Sequence, residues 1–222
     1  MATRFYLSDV GDEPVAPSYD SNWEVVTDAN RKPLIRKLLL ETADALNYRT
    51  VDIPDAVSQD ILSYQFISEP LRAQVIAGTV SLVIKCSENL ITANASLAVV
   101  VNLFSQDGQT LRGTLFSVFS TDSEFGTTAS TRIVNTQNLT QLTAQEQDRI
   151  VVEIGATVST PVLSTFVLYR GNNAASDFAL TSGLTTDLNP WIEFSQDLFS
   201  PMPNNYQFVS AGDGTSVTEK IR

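Results

Sequence analysis

Glu153 and Glu193 are the carboxylates best placed by type for chemistry, each on the polar phase of a strand-like segment, in RIVVEIG and PWIEF. Glycoside hydrolysis needs only two Asp or Glu side chains a few ångströms apart, one acting as acid and the other as base or nucleophile. Nothing in the sequence brings these two to one cleft, and the plainer reading is a pair of solvated strand carboxylates. The chain contains no histidine. A Ser-His-Asp or Cys-His arrangement therefore cannot be built, and the commonest general base near neutral pH is missing. The expectation is a protein that is not an enzyme.

Cys86 is the single cysteine, so an intramolecular disulfide and a cysteine cluster for zinc or iron–sulfur ligation are both ruled out. It stands in phase with Val80, Leu82 and Ile84, which makes it a small core residue. Calcium would take hard oxygen ligands from loops, but Asp107-Gly108 and Gly212-Asp213-Gly214 lack the acidic density of a calcium loop and are better read as turns. No glycine-rich phosphate loop occurs, and no cofactor is expected. Asn94-Ala95-Ser96 and Asn138-Leu139-Thr140 match the N-glycosylation pattern. The opening MATRFYLSDVGDE lacks the apolar core of a signal peptide, which makes both matches coincidental. Trp23, Trp191 and Tyr206 are the aromatics that could stack on sugars, although Trp191, beside Pro190 and alternating with Ile192, fits a core or an interface better.

Fourteen basic residues against twenty-five acidic ones give a net charge of −11. Phosphate backbones and anionic lipid would repel such a chain, so neither nucleic acid nor a membrane is an expected partner. No apolar run approaches the ~20 residues of a membrane-crossing helix. The expectation is a soluble protein made inside a cell.

The elements that would carry these residues are mostly strands. From Gly78 to Ser120, GTVSLVIKCSENLITANASLAVVVNLFSQDGQTLRGTLFSVFS, three strands follow one another through short polar turns. Val80, Leu82, Ile84 and Cys86 lie on one face with Thr79, Ser81 and Lys85 on the other. Leu97–Phe104 is nearly all apolar, as a strand covered on both faces would be, and Gln106-Asp107-Gly108-Gln109 turns the chain back into Leu111–Phe119. Further strands are expected at Ile61–Ile67, Thr131–Val134, Arg149–Ile154, Phe166–Tyr169 and Pro190–Phe194. Leu34–Asn47 is ambiguous, since Leu34, Ile35, Leu38, Leu39, Thr42 and Leu46 suit a helical stripe while Ile35–Leu39 also suits a strand. The fold class expected is all-β, an antiparallel two-sheet sandwich resembling a jelly roll. Residues 31–200 would form its body, with extended arms at 1–30 and 201–222.

Several segments together resemble a class of tailed-bacteriophage virion proteins with a jelly-roll-like body: ATRFYL at 2–7, YQFISEPLRAQVIAGTVSLVIKCSE at 64–88, QDRIVVEIG at 147–155 and NPWIEFSQ at 189–196. The resemblance implies a structural component of a virion, a capsid decoration or cement protein ahead of a neck or tail part. Its partners would be other virion proteins, the major capsid protein or neck and tail proteins, and it would act as a homo-oligomer. It also implies that the Leu34 segment is extended, with a strand such as Leu34–Leu40. Phe5, Tyr6 and Leu7 in the first arm and Tyr206, Phe208 and Val209 in the second are the expected interaction anchors. A carbohydrate-binding module for host attachment is the alternative from a different class.

Overall fold

The computed structural model describes residues 1–9, 11, 13–36, 47–53, 58–121, 123–160, 162–171, 174 and 176–200. In chain order the strands are β1 (Thr3–Leu7), β2 (Val25–Ile35), β3 (Asn47–Ile53), β4 (Gln59–Ser68), β5 (Gln74–Ile76), β6 (Thr79–Glu88), β7 (Ala95–Phe104), β8 (Leu111–Val118), β9 (Ser130–Asn138), β10 (Leu142–Ala144), β11 (Arg149–Val158), β12 (Ser164–Arg170) and β13 (Trp191–Phe194). A 3-10 turn, Ile91–Ala93, precedes β7. The fold is an all-β sandwich.

One eleven-stranded sheet runs β3-β12-β6-β13-β1-β2-β4-β11-β7-β8, with β9 on the other edge of β6, and β5 and β10 form a separate small sheet. The large sheet folds over so that its inner residues make one core, including Phe5, Tyr64, Phe66, Ile84, Val101, Phe125, Ile154, Phe166 and Phe194. The β8 edge meets the chain just beyond β9, where Thr140 N donates to Leu115 O at 2.8 Å.

Alternation explains the half-buried strands: β1 and β12 each bury every second residue, as period-2 side chains on a one-sided sheet must. All ten residues of β7 are buried, as its apolar run predicts. Its outward residues Ala98 and Val100 lie under Trp23, with Tyr19 and Phe119 packed against that cluster. Cys86 is buried in the core as expected, and burial raises its thiol pKa.

Gly155 marks where this packing is tightest. The β4–β11 register shifts at Ile154/Gly155, and a Cβ on Gly155 would lie 2.0 Å from Ile61 O and 2.9 Å from the Trp23 ring. Only glycine lets the bulge and the indole share that space. Gly78, at φ +88°, separates β5 from β6.

Two expectations need correction. The sheet is mixed, because β2 pairs parallel with β4. Parallel neighbours require a crossover, and here the intervening chain passes through β3 at the far edge, paired to β12. Residues 1–30 do not form a free arm, since Thr3–Leu7 is an interior strand between β13 and β2. Within the ambiguous segment, Leu34 and Ile35 end β2 as strand, while 37–46 lie outside the described residues, as do 201–222.

Candidate interaction surface

Phe5 and Leu7 are wholly buried, and Phe5 meets Phe194 edge-on at 6.0 Å between centroids. They are core residues and not anchors for a partner. Tyr6 points to the opposite face, half-buried, where its hydroxyl donates to Asp177 Oδ2 at 3.0 Å. Arg4 joins it, paired with Asp177 at 2.8 Å and Glu193 at 2.9 Å, its guanidinium 4.0 Å from the Trp191 ring centroid. The second set of anchors, Tyr206, Phe208 and Val209, lies outside the described residues.

The structure does not bring the two candidate carboxylates together: Glu193 sits on β13 and Glu153 on β11, with β1, β2 and β4 between them. Glu193 is held by Arg4. Glu153 is completely buried and accepts hydrogen bonds from Trp23 Nε1 at 2.7 Å, Gln65 Nε2 at 2.9 Å and Asp20 N at 3.1 Å. Burial raises its pKa, opposed by those hydrogen bonds. Asn102 Nδ2 donates to Asp20 Oδ2 at 3.1 Å and Arg31 Nε to Gln65 Oε1 at 2.9 Å. The arrangement is a polar clasp that fastens residues 17–23 across the outer face of β4, β11 and β7. Its donors engage both carboxylate oxygens, and the side chain has no exposed surface. Sequence reasoning placed Glu153 on the polar phase correctly; that a strap would cover that phase was not visible in strand alternation.

Both tryptophans considered for sugar stacking are buried, and Trp191 Nε1 donates to Phe178 O at 2.8 Å. Asp107 accepts from Ser105 Oγ at 2.6 Å and Gln109 N at 3.1 Å, which is the local geometry of a turn; these bonds lower its pKa.

Glu88, at the end of β6, was not singled out from the sequence. Its side chain is almost fully buried, and its Oε2 accepts Ala95 N at 3.0 Å. Desolvation pushes its pKa up to about 7, opposed by the Ala95 hydrogen bond and reinforced by the neighbouring Glu124 carboxylate, with Arg132 acting weakly in the other direction.

Beside Glu88 three large aliphatic side chains are exposed. Leu90 and Ile91, in the β6–β7 connection, are 41% and 55% exposed, and Leu163, in the β11–β12 connection, is 74% exposed. The two connections are tied together. Asn89 N donates to Thr165 O at 3.0 Å, Thr165 N to Asn89 Oδ1 at 2.7 Å, Thr160 N to Ala93 O at 3.3 Å, and Asn94 Nδ2 to Thr160 Oγ1 at 2.7 Å. Asn94 holds the left-handed conformation that ends the 3-10 turn, which Asn tolerates better than most residues. These ties hold the leucine and isoleucine side chains out on a fixed tip. These exposed aliphatic side chains on two tied connections form a candidate contact surface.

No protein-family model matches the chain, and no curated protein matches it. Among solved structures it is similar to a CocE/NonD family hydrolase from Staphylococcus aureus, with 11% identity over 90% of this chain and 35% of that one at a TM-score of 0.29. It is also similar to the infectious bursal disease virus VP2 subviral particle, with 12% identity over 82% of this chain and 42% of that one at a TM-score of 0.23. The chain thus spans well under half the length of either protein. Likeness at this level assigns no function.

Proposed function

We propose that the protein is a non-enzymatic structural component of a virus particle, a decoration or cement protein on a tailed-phage capsid, and that it docks on other virion proteins through the Leu90, Ile91 and Leu163 tip. The observation that carries this reading is the tip itself, apolar side chains on two cross-tied loops of a chain with net charge −11. The segments resembling phage virion proteins supply the setting. A rigid sandwich suits the role because many identical weak contacts on a symmetric lattice add up to firm attachment. The bonded tip would lose little conformational freedom on docking.

The test is reconstitution with particles lacking the protein. The double variant Ile91→Asp/Leu163→Asp should fold and remain monodisperse, yet occupy particles at least ~100-fold more weakly. That factor follows from about 1.5–3 kcal/mol for each large aliphatic side chain kept out of a buried contact. Occupancy equal to the parent protein's would refute docking through the tip. Binding to tails and not heads would place the protein at the neck or tail.

A further inference from the structure

Two ties join β8 and the residues after it to β9 and the residues after that. At one, Thr140 N donates to Leu115 O at 2.8 Å; at the other, Arg132 Nε donates to Glu124 O at 2.7 Å. Between the ties the two stretches are not paired with each other: β8 pairs with β7 and β9 with β6, and among the described residues neither has a second strand partner. A cleft of about 380 Å³ lies there, a size within the ~300–1,000 Å³ of small-molecule sites. An added β-strand needs an edge open along its length. A cleft tied at both ends suits a compact ligand instead.

Its lining divides into an apolar floor and a polar, uncharged rim. Val134 belongs to the core, and Phe116 and Val118 pack half-buried at the core margin. Exposed Ser117 alternates with them along β8. On β9 the register against β6 shifts between Val80 and Leu82, so that Asn135 and Thr136 together oppose Ser81. This bulge sets Asn135 and Gln137 in the lining, both exposed, and Asn135 Oδ1 accepts Thr136 N at 3.0 Å, which orients the carboxamide. Thr121 Oγ1, in the cleft wall, is shut off from solvent and has no hydrogen-bond partner among the described residues. None of the lining side chains is charged.

We propose that this cleft binds a short neutral saccharide. A sugar ring joins an apolar C–H face, which lies over Phe116 and Val118, to hydroxyls that both donate and accept, as the hydroxyls and carboxamides of the rim do. An ionic ligand would find no opposite charge in the lining and would lose its hydration without return. An anion would be repelled besides by the net charge of −11. A wholly apolar ligand would leave the rim groups that it covered unpaired. The cleft shares no residue with the Leu90, Ile91 and Leu163 tip, so the inference stands apart from docking through that tip.

The test is an NMR titration of the isotope-labelled full chain with a panel of neutral mono- and disaccharides of hexoses, deoxyhexoses and N-acetylhexosamines, with sialylated and sulfated sugars as the charged comparison. At least one neutral saccharide should shift amides within 116–121 and 133–137 while those of β4 and β11 stay in place. The exposed double variant Asn135→Ala/Gln137→Ala should keep its thermal stability and bind that saccharide at least ~10-fold more weakly, as the loss of side-chain hydrogen bonds requires. The proposal is overturned by no neutral saccharide binding at millimolar concentration, by shifts that map elsewhere, by charged sugars binding the cleft as well as neutral ones, or by unaltered affinity in the variant. Shifts at the cleft on concentrating the protein alone would assign it to a second copy and overturn the proposal equally.

Discussion

Glu88 shows how one side chain can set a pH dependence. Its pKa, pushed up to about 7 from an ordinary 4.5, means that the folded state binds a proton more readily than the unfolded chain does. Stability contributed by that proton is fully present below the unfolded value and is lost as pH rises from about 4.5 through about 7. Chemical denaturation across that window should show stability falling with pH, and Glu88→Gln should flatten the fall. An unchanged slope in the variant would show that the carboxyl carries no linkage. Glu153 is raised in the same sense, but it acts chiefly as an acceptor for buried donors. Glu153→Ala would strand Trp23 Nε1 and the Gln65 amide, at about 1–3 kcal/mol for each unsatisfied group. The expected result is a protein destabilised by roughly 2–6 kcal/mol and newly cleaved by protease within 13–24.

Among the elements, β1 departs furthest from its sequence reading. ATRFYL is short and sits among acid and proline residues, so nothing local marks it as interior. Its partners are β13, about 190 residues away in the chain, and β2. Phe5 and Leu7 are buried by those partners. Phe5→Ala should therefore cost about 3–5 kcal/mol in equilibrium unfolding, whereas an arm residue would cost almost nothing. The central strands were legible for the opposite reason. In β6, β7 and β11 the alternation or continuous apolar run is strong enough to be seen within ten residues, and β8 follows from the Asp107-Gly108 turn. The short β5 and β10 and the edge strand β3 carry too few apolar residues to announce themselves.

Across the whole molecule, strand periodicity and turn residues determined that the chain is all-β, that β7 and β8 pair antiparallel across the Asp107-Gly108 turn, and that Cys86 faces the core. Missing histidine and the acidic balance weighed against particular chemistries and partners without naming a surface. Tertiary structure alone decided that β2 pairs parallel with β4, that residues 17–23 strap the outer face, that Glu153 and Glu193 are kept apart, and that Leu90, Ile91 and Leu163 share a tip. The division has a physical cause. Side-chain alternation and turn chemistry are local, readable over a few residues. Which strand lies beside which, and hence which polar group is covered and which apolar one exposed, depends on contacts between residues far apart in the chain, and no local pattern encodes them.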